Sequence, residues 1–261
     1  MKLSVFMPSI RTHLHQVWYD SLEASCDRHD FEVVMCGPFE PPESVLSNPN
    51  VTWIKSFASP TVCAQIALSK CGGDYVFHTV DDSLFIPHVI SNELDDIDNN
   101  LIVGMRYREG QSHSGRVLPD MYWYARNAYP RYRGVNPSWG ICVHFLMSRD
   151  LCISYGGFDC KYDYLNHATH DLLFRLQKQN HISYRNSKSE ISSADWQPNI
   201  SGDHAPIHNA QIGHDTPIFT RDWQDHNDRN IIYFMNYKEY PDVWNTRFNG
   251  QEKEYNDLGY K

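Results

Sequence analysis

Two adjacent carboxylates, Asp81 and Asp82, close the apolar run Tyr75-Val76-Phe77-His78-Thr79-Val80. Like charges this close raise each other's pKa, and neither tolerates burial without a partner. A divalent cation relieves the repulsion. Mg2+ or Mn2+ held by one or two carboxylates, with a ligand's phosphates completing the shell, is a common oxygen-donor arrangement. A solvated turn, or a helix N-cap by Asp82 or Ser83, is the other reading of the same residues. A second polar stretch, 201–215, sets His204, His208 and His214 beside Asp203 and Asp215 among glycines and a proline, the make-up of a loop that folds over a site. Its H-x-x-x-H and H-D spacings do not by themselves specify a metal. Between Arg106 and Trp139 the chain is rich in Arg, Tyr and Trp. Aromatic faces there could pack on a ligand's C–H surfaces and Arg could pair with a diphosphate; a surface-packed irregular segment is the reading for most of these residues, and Trp139 is the one expected to face a ligand.

The elements that position these residues alternate. Leu3 to Met7 is a strand pattern stopped by Pro8, and an amphipathic helix succeeds it over roughly His13 to Arg28. Further strands are expected at Phe31 to Met35, Val51 to Ile54, Tyr75 to Val80, Leu101 to Tyr107 and Ile141 to Met147, with helices at Thr61 to Ser69, Pro87 to Leu94 and His170 to Lys178. Such alternation predicts an α/β fold, a mostly parallel sheet flanked by helices. In such sheets ligands bind outside the carboxyl ends of the strands, where Pro8 to Arg11, Cys36-Gly37-Pro38 and Asp81-Asp82 all fall.

The chain has 261 residues, suited to one large domain with a C-terminal extension from residue 182 to 261 that is polar but dotted with Trp and Tyr, hence expected to pack on the domain. A net charge of −9, with 23 Lys and Arg against 32 Asp and Glu, argues against a nucleic-acid footprint. The seven Cys include no C-x-x-C pair and read as small buried hydrophobes in a reducing compartment. No stretch reaches the ~18 apolar residues of a membrane span, and the N-terminus opens into a strand rather than a signal sequence. The expected location is cytoplasmic.

Gly73-Asp74-Tyr75, the apolar strand and the acidic pair resemble the segment before the D-x-D motif of GT-A fold glycosyltransferases, family 2 in particular. Asp82 matches the last Asp; Val80 stands at the first Asp position and Asp81 in the middle. Val5-Phe6-Met7-Pro8-Ser9-Ile10-Arg11 resembles the family's first strand and P-T-x-x-R turn, which lines the nucleotide base. Gln65 lies where the family often has an Asn. Gly156-Gly157-Phe158-Asp159, then Asp171-Leu172-Leu173-Phe174-Arg175-Leu176, is similar to the family's G-G-F-D and E-D-x-D-L-x-x-R-L, with Ala168-Thr169 in place of the E-D.

The resemblance covers roughly residues 3 to 178. It implies a GT-A catalytic domain over 1–181, its nucleotide-binding half about 1–100 and its acceptor half about 101–181. The implied enzyme is a hexosyltransferase-type glycosyltransferase that moves a sugar from a nucleotide-diphosphate donor to a glycan or other hydroxyl acceptor, with inversion. It would depend on Mn2+ or Mg2+ held by Asp82, Asp81 and His204. Pro8, Arg11, Gln65, Gly156 and Gly157, with the acidic pair, would bind the donor. Asp171, with His170 second, would be the general base. An i,i+4 salt bridge to Arg175 is the alternative for Asp171. A nucleotidyltransferase or a non-catalytic sugar- or nucleotide-binding protein on the same fold is the rival reading.

Overall fold

The computed structural model describes residues 2–109, 116–117, 123–193 and 211–224. Its strands are β1 (Lys2–Pro8), β2 (Asp30–Gly37), β3 (Val51–Lys55), β4 (Tyr75–His78), β5 (Ser83–Leu84), β6 (Leu101–Glu109), β7 (Arg116–Val117), β8 (Phe145–Ser148) and β9 (Ser183–Ser193). They form one sheet in the order β3-β2-β1-β4-β8-β6-β9-β5, with β7 paired to β6. The half β3-β2-β1-β4 is parallel; β8 then runs antiparallel to both β4 and β6, and β9 is parallel to β6. The helices are α1 (His15–Ser25), α2 (Glu43–Leu46), α3 (Pro60–Leu68), α4 (Val89–Asp95), α5 (Ala125–Ala128), α6 (Arg149–Ser154), α7 (Leu165–Gln177) and α8 (Thr216–Trp223).

Both faces of the sheet are covered, so its central strands read as unbroken apolar runs rather than alternating ones. Successive side chains still divide between the faces. Val5, Met7, Val33, Met35 and Phe77 join the core under α1 and α4, where Trp18, Leu22 and Ile90 pack. Phe6, Val34, Cys36 and Val76 join the other core, with Ala64, Leu68, Leu172 and Phe174 of α3 and α7. All seven cysteines are buried and free, as their apolar settings led one to expect.

Three elements depart from the sequence pattern. The strand expected from Ile141 begins only at Phe145, because residues 141–144 bend away after Gly140 bridges Tyr124. Helix α7 starts at Leu165, well before His170; Tyr164 at its N-cap gives no side-chain cap, so the local start signal is missing. Strand β9 opens the segment read as an extension, yet it lies inside the sheet between β6 and β5. Its sequence, Ser-Tyr-Arg-Asn-Ser-Lys-Ser-Glu-Ile-Ser-Ser, lacks an apolar alternation, and its pairing with β6 shifts register between Gly104 and Arg106. Backbone pairing, not side-chain pattern, makes it a strand.

The end of β2 lies hard against the loop after β1. A Cβ on Gly37 would fall 1.8 Å from the carbonyl oxygen of Ser9, a backbone atom that no rotamer change can move. The variant Gly37→Ala should therefore lose about 3 kcal/mol of stability, at the upper end of overpacking costs, as measured by urea unfolding.

Candidate active site

Strand β4 ends at His78, and the chain turns through Thr79-Val80-Asp81-Asp82 into β5. The turn is pinned from several sides. Ser83 N–H donates to the Val80 carbonyl at 3.2 Å. Trp18 Nε1 donates to the same oxygen at 3.1 Å, and Thr79 Oγ1 donates to Ser83 Oγ at 3.0 Å. Asp81 is 2 % exposed and Asp82 6 % exposed, which excludes a solvated turn. Helix α4 does not begin until Val89, so neither Asp82 nor Ser83 caps it.

The two carboxylates are differently placed. Asp81 Oδ2 accepts from the backbone N–H groups of Ile10 and Arg11, both at 2.6 Å, and Oδ1 accepts from Arg11 Nη1 at 2.6 Å. Burial on its own would raise the Asp81 pKa. The Arg11 guanidinium, His15 and the two N–H donors outweigh it and hold the carboxyl below its ordinary range. Arg11 and Asp81, named separately from the sequence, are thus one ion pair, with Pro8 just before it at the end of β1. His15 braces the same loop: its Nε2 is 2.6 Å from Ser9 Oγ, and burial lowers its pKa to about 4, leaving the ring neutral.

The Gly-Gly turn is built from the inside. Gly156 (φ 82°) and Gly157 (φ 65°) are left-handed, a conformation glycine adopts without a Cβ penalty. Gly156 N–H reaches the Ile153 carbonyl and Gly157 N–H the Cys152 carbonyl, the paired bonds of a Schellman cap ending α6. The carbonyls are also taken. Arg175 Nη1 donates to Tyr155 O, Arg175 Nη2 to Gly157 O at 2.6 Å, and Gln65 Nε2 to Gly156 O at 2.9 Å. Gln65 Oε1 accepts from Phe158 N at 2.9 Å. Gln65 is fully buried, so its amide and the glycine backbone, expected to meet the donor, are engaged in joining α3, α6 and α7.

Asp171 sits behind this turn with no exposure to solvent. Its Oδ2 accepts from Arg175 Nε at 2.8 Å and its Oδ1 from Trp223 Nε1 at 2.9 Å. This is the ion-pair alternative rather than the placement of a base, since no acceptor hydroxyl can reach a carboxylate so enclosed. His170 is 6 % exposed, its Nδ1 lies 2.6 Å from the Tyr129 hydroxyl, and burial pushes its pKa down to about 3, which makes it a weak proton acceptor. Trp139 packs its ring 5.5 Å from Phe174 and 6.2 Å from Trp223, as part of the core around α7 and α8.

His204 and His208 lie outside the described residues. Another member of the same stretch, His214, does enter a cluster. Asp163, His214 and Asp215 place one ligand atom each within 4.8 Å of one another, the one such group among the described residues. Asp215 Oδ1 accepts from Asp163 N at 2.9 Å and meets His214 Nδ1 at 2.8 Å; Oδ2 accepts from Tyr164 N at 2.6 Å. Asp163 Oδ2 is 3.5 Å from His214 Nδ1. Two carboxylates and an imidazole form a mixed O/N set that suits a first-row divalent ion. Burial raises the Asp215 pKa to about 6 despite His214 and the Tyr164 N–H. The cluster lies beside the start of α3, where Thr61 N–H meets the Asp163 carbonyl at 3.3 Å. Since α3 comes directly after β3, this is the same edge of the sheet as the acidic turn. Sequence reasoning missed Asp163, which acquires its neighbours only through contacts 52 residues distant in the chain.

No family model and no curated protein matches the sequence. Solved structures do resemble the fold. TarS from S. aureus superposes with a TM-score of 0.52 at 16% identity, over 75% of this chain and 37% of that one. The mannosyltransferase PcManGT from Pyrobaculum calidifontis, in complex with GDP-Man and Mn2+, gives 0.57 at 13% identity, over 96% of this chain and 75% of that one. Glucosyl-3-phosphoglycerate synthase from Mycobacterium tuberculosis, in complex with Mn2+, UDP and phosphoglyceric acid, gives 0.52 at 12% identity, over 81% and 78%. The chain has the GT-A glycosyltransferase fold. It spans about a third of the length of full TarS. None of its described helices is long and apolar enough to cross a membrane.

The buried carboxylates lead to two outcomes. Arg175→Met removes the counter-charge from the buried Asp171 carboxylate, and should cost about 3–5 kcal/mol in urea unfolding. Asp215 has a native pKa of about 6 against an ordinary 3.8. Between those values the folded protein keeps a proton that the unfolded chain has released. The stability this group contributes is therefore greatest at low pH and is lost as pH rises from about 4 to about 6. Asp215→Asn should flatten that descent in a pH series of unfolding free energies.

Proposed function

We propose that this chain is a metal-dependent glycosyltransferase that moves a sugar from a nucleoside-diphosphate donor to a hydroxyl acceptor. The observation that carries the reading is the buried acidic turn at the carboxyl edge of a GT-A sheet, one strand away from the Arg11 loop. Asp82 would hold Mn2+ or Mg2+, and the Asp163, His214 and Asp215 cluster is a separate set of candidate ligands. His214, about 30 % exposed at its side chain, would join in this reading as a ligand beside His204, which lies outside the described residues. When bound, the cation supplies the positive charge that offsets the charge developing on the leaving diphosphate.

The chain's own residues do the rest of the binding. The loop from Pro8 to Arg11 would seat the nucleoside, held rigid by Asp81 and by the Ser9 to His15 contact. The neighbours solved with UDP, GDP-Man and Mn2+ support this class of donor. Inversion at the anomeric carbon is the course that the family resemblance carries, and the anomeric configuration of the product would report it.

The test is a panel of UDP- and GDP-sugars incubated with Mn2+, scored for release of nucleoside diphosphate. Wild type should turn over one donor, chelation should stop it, and Asp82→Ala should lower the rate at least about a hundredfold, the scale of losing a charge-stabilising group. The absence of both turnover and metal-dependent nucleotide binding would sink the assignment. Metal-dependent binding without turnover would favour the binding-protein reading, to which the enclosed Asp171 and the weakly basic His170 lend support.

A further inference from the structure

We propose that Asp81 is a positioning residue that latches the loop after β1 to the acidic turn, and that the metal-binding duty of the Asp81-Asp82 pair falls to Asp82 alone. The geometry is specific. Ile10 and Arg11 present successive backbone N–H groups to a single oxygen, Oδ2, each at 2.6 Å. Consecutive amides converging in this way form a nest for an anion, and the carboxylate fills it. The second oxygen is met by Arg11 Nη1, also at 2.6 Å. A dication placed on Asp81 would have to displace these donors or lie beside the guanidinium, whose positive charge repels it.

The latch is embedded on every side. Arg11 is 8 % exposed and Asp81 2 %, so solvent does not compete for the contact. Ser9 N–H donates to the Cys36 carbonyl at 2.9 Å, and Thr79 N–H to the Phe6 carbonyl at 3.3 Å. The loop and the acidic turn are therefore joined through β1 and β2 as well as through Asp81. Val80, standing where the resembled motif has its first Asp, offers no side-chain ligand, and Asp82 is the acid of the turn that lies outside the nest. The consequence for donor binding rests on the proposed activity; the latch itself does not.

Two readouts separate these roles. The first is amide exchange of the ligand-free protein, monitored by NMR. Asp81→Asn should speed exchange at Ile10 and Arg11 at least tenfold, and Asp82→Asn should leave both amides as in wild type. Unchanged exchange in D81N overturns the latch. The second is UDP affinity with Mn2+ and with chelator. D81N should weaken both by a similar factor and keep the metal-dependent increment, whereas D82N should lose that increment. A D81N protein that loses only the Mn2+ increment would make Asp81 a ligand and overturn the proposal. If wild type binds no nucleotide, the proposed activity fails while the exchange measurement still decides the latch. Should D81N fold too poorly to assay, Arg11→Gln replaces it: faster exchange at residue 11 is expected, and wild-type exchange there overturns the proposal.

Discussion

The parallel register of β1 on β4 is the constraint on which the site depends. Phe6 lies opposite His78, so β1 runs past the end of β4 only by Met7 and Pro8, and the two strands deliver their succeeding segments to the same edge. Strand β1 hands over to a loop whose amides converge on one point, and β4 hands over to a pair of acids. Had the register slipped by one residue, the side chains of β4 would have changed faces and His78 would have left its aromatic surroundings. That histidine is held by Phe6, Phe145 and Phe158 within about 5 Å of its ring, and by the Val143 carbonyl at 2.6 Å. The packing beneath the edge thus fixes the chemistry above it.

A common device recurs across the two halves of the site. Asp81 with Arg11, and Asp171 with Arg175, are buried ion pairs; Asp81 also accepts from backbone N–H groups, Asp171 from the Trp223 indole, and Arg175 donates to backbone carbonyls. A charge taken out of water is tolerated only when its pairing and remaining hydrogen bonds are complete. Each pair fastens a loop that no regular hydrogen-bond ladder could hold. The first ties the loop of β1 to the acidic turn. The second ties the Gly-Gly turn to α7 and, through Trp223, to α8. The β1 loop at this edge is therefore set by the surrounding frame before any ligand arrives, the arrangement that electrostatic catalysis requires.

Much of the frame was legible in the sequence because it rests on apolar runs. The strands at Leu3, Phe31 and Tyr75 and the helix around Ile66 bury most of their length, the helix around Trp18 buries one face, and burial leaves a pattern. Strand β9 did not, since its pairing is a backbone matter. The start of α7 did not, since the carboxylate that takes the N–H groups of Asp163 and Tyr164 comes from Asp215, far along the chain. Within the site, residue types were readable but commitments were not. Gln65, Gly156, Gly157 and Asp171 stand at motif positions, yet their polar atoms are engaged within the turn and its supporting helices. Only geometry distinguishes an acid that meets a ligand from one that meets an arginine.

The cysteines carry a different consequence. All seven sulfurs are inside, and burial pushes the thiols of Cys71, Cys142, Cys152 and Cys160 up to about 12, so almost none is thiolate at neutral pH. An alkylating reagent would find the native molecule nearly inert. Each sulfur becomes reactive only when its own neighbourhood opens: Cys26 at the end of α1, Cys36 at the end of β2, Cys152 within α6. The unmodified chain therefore contains a set of clocks, spread over both faces of the sheet, from which the breathing of each region can be timed.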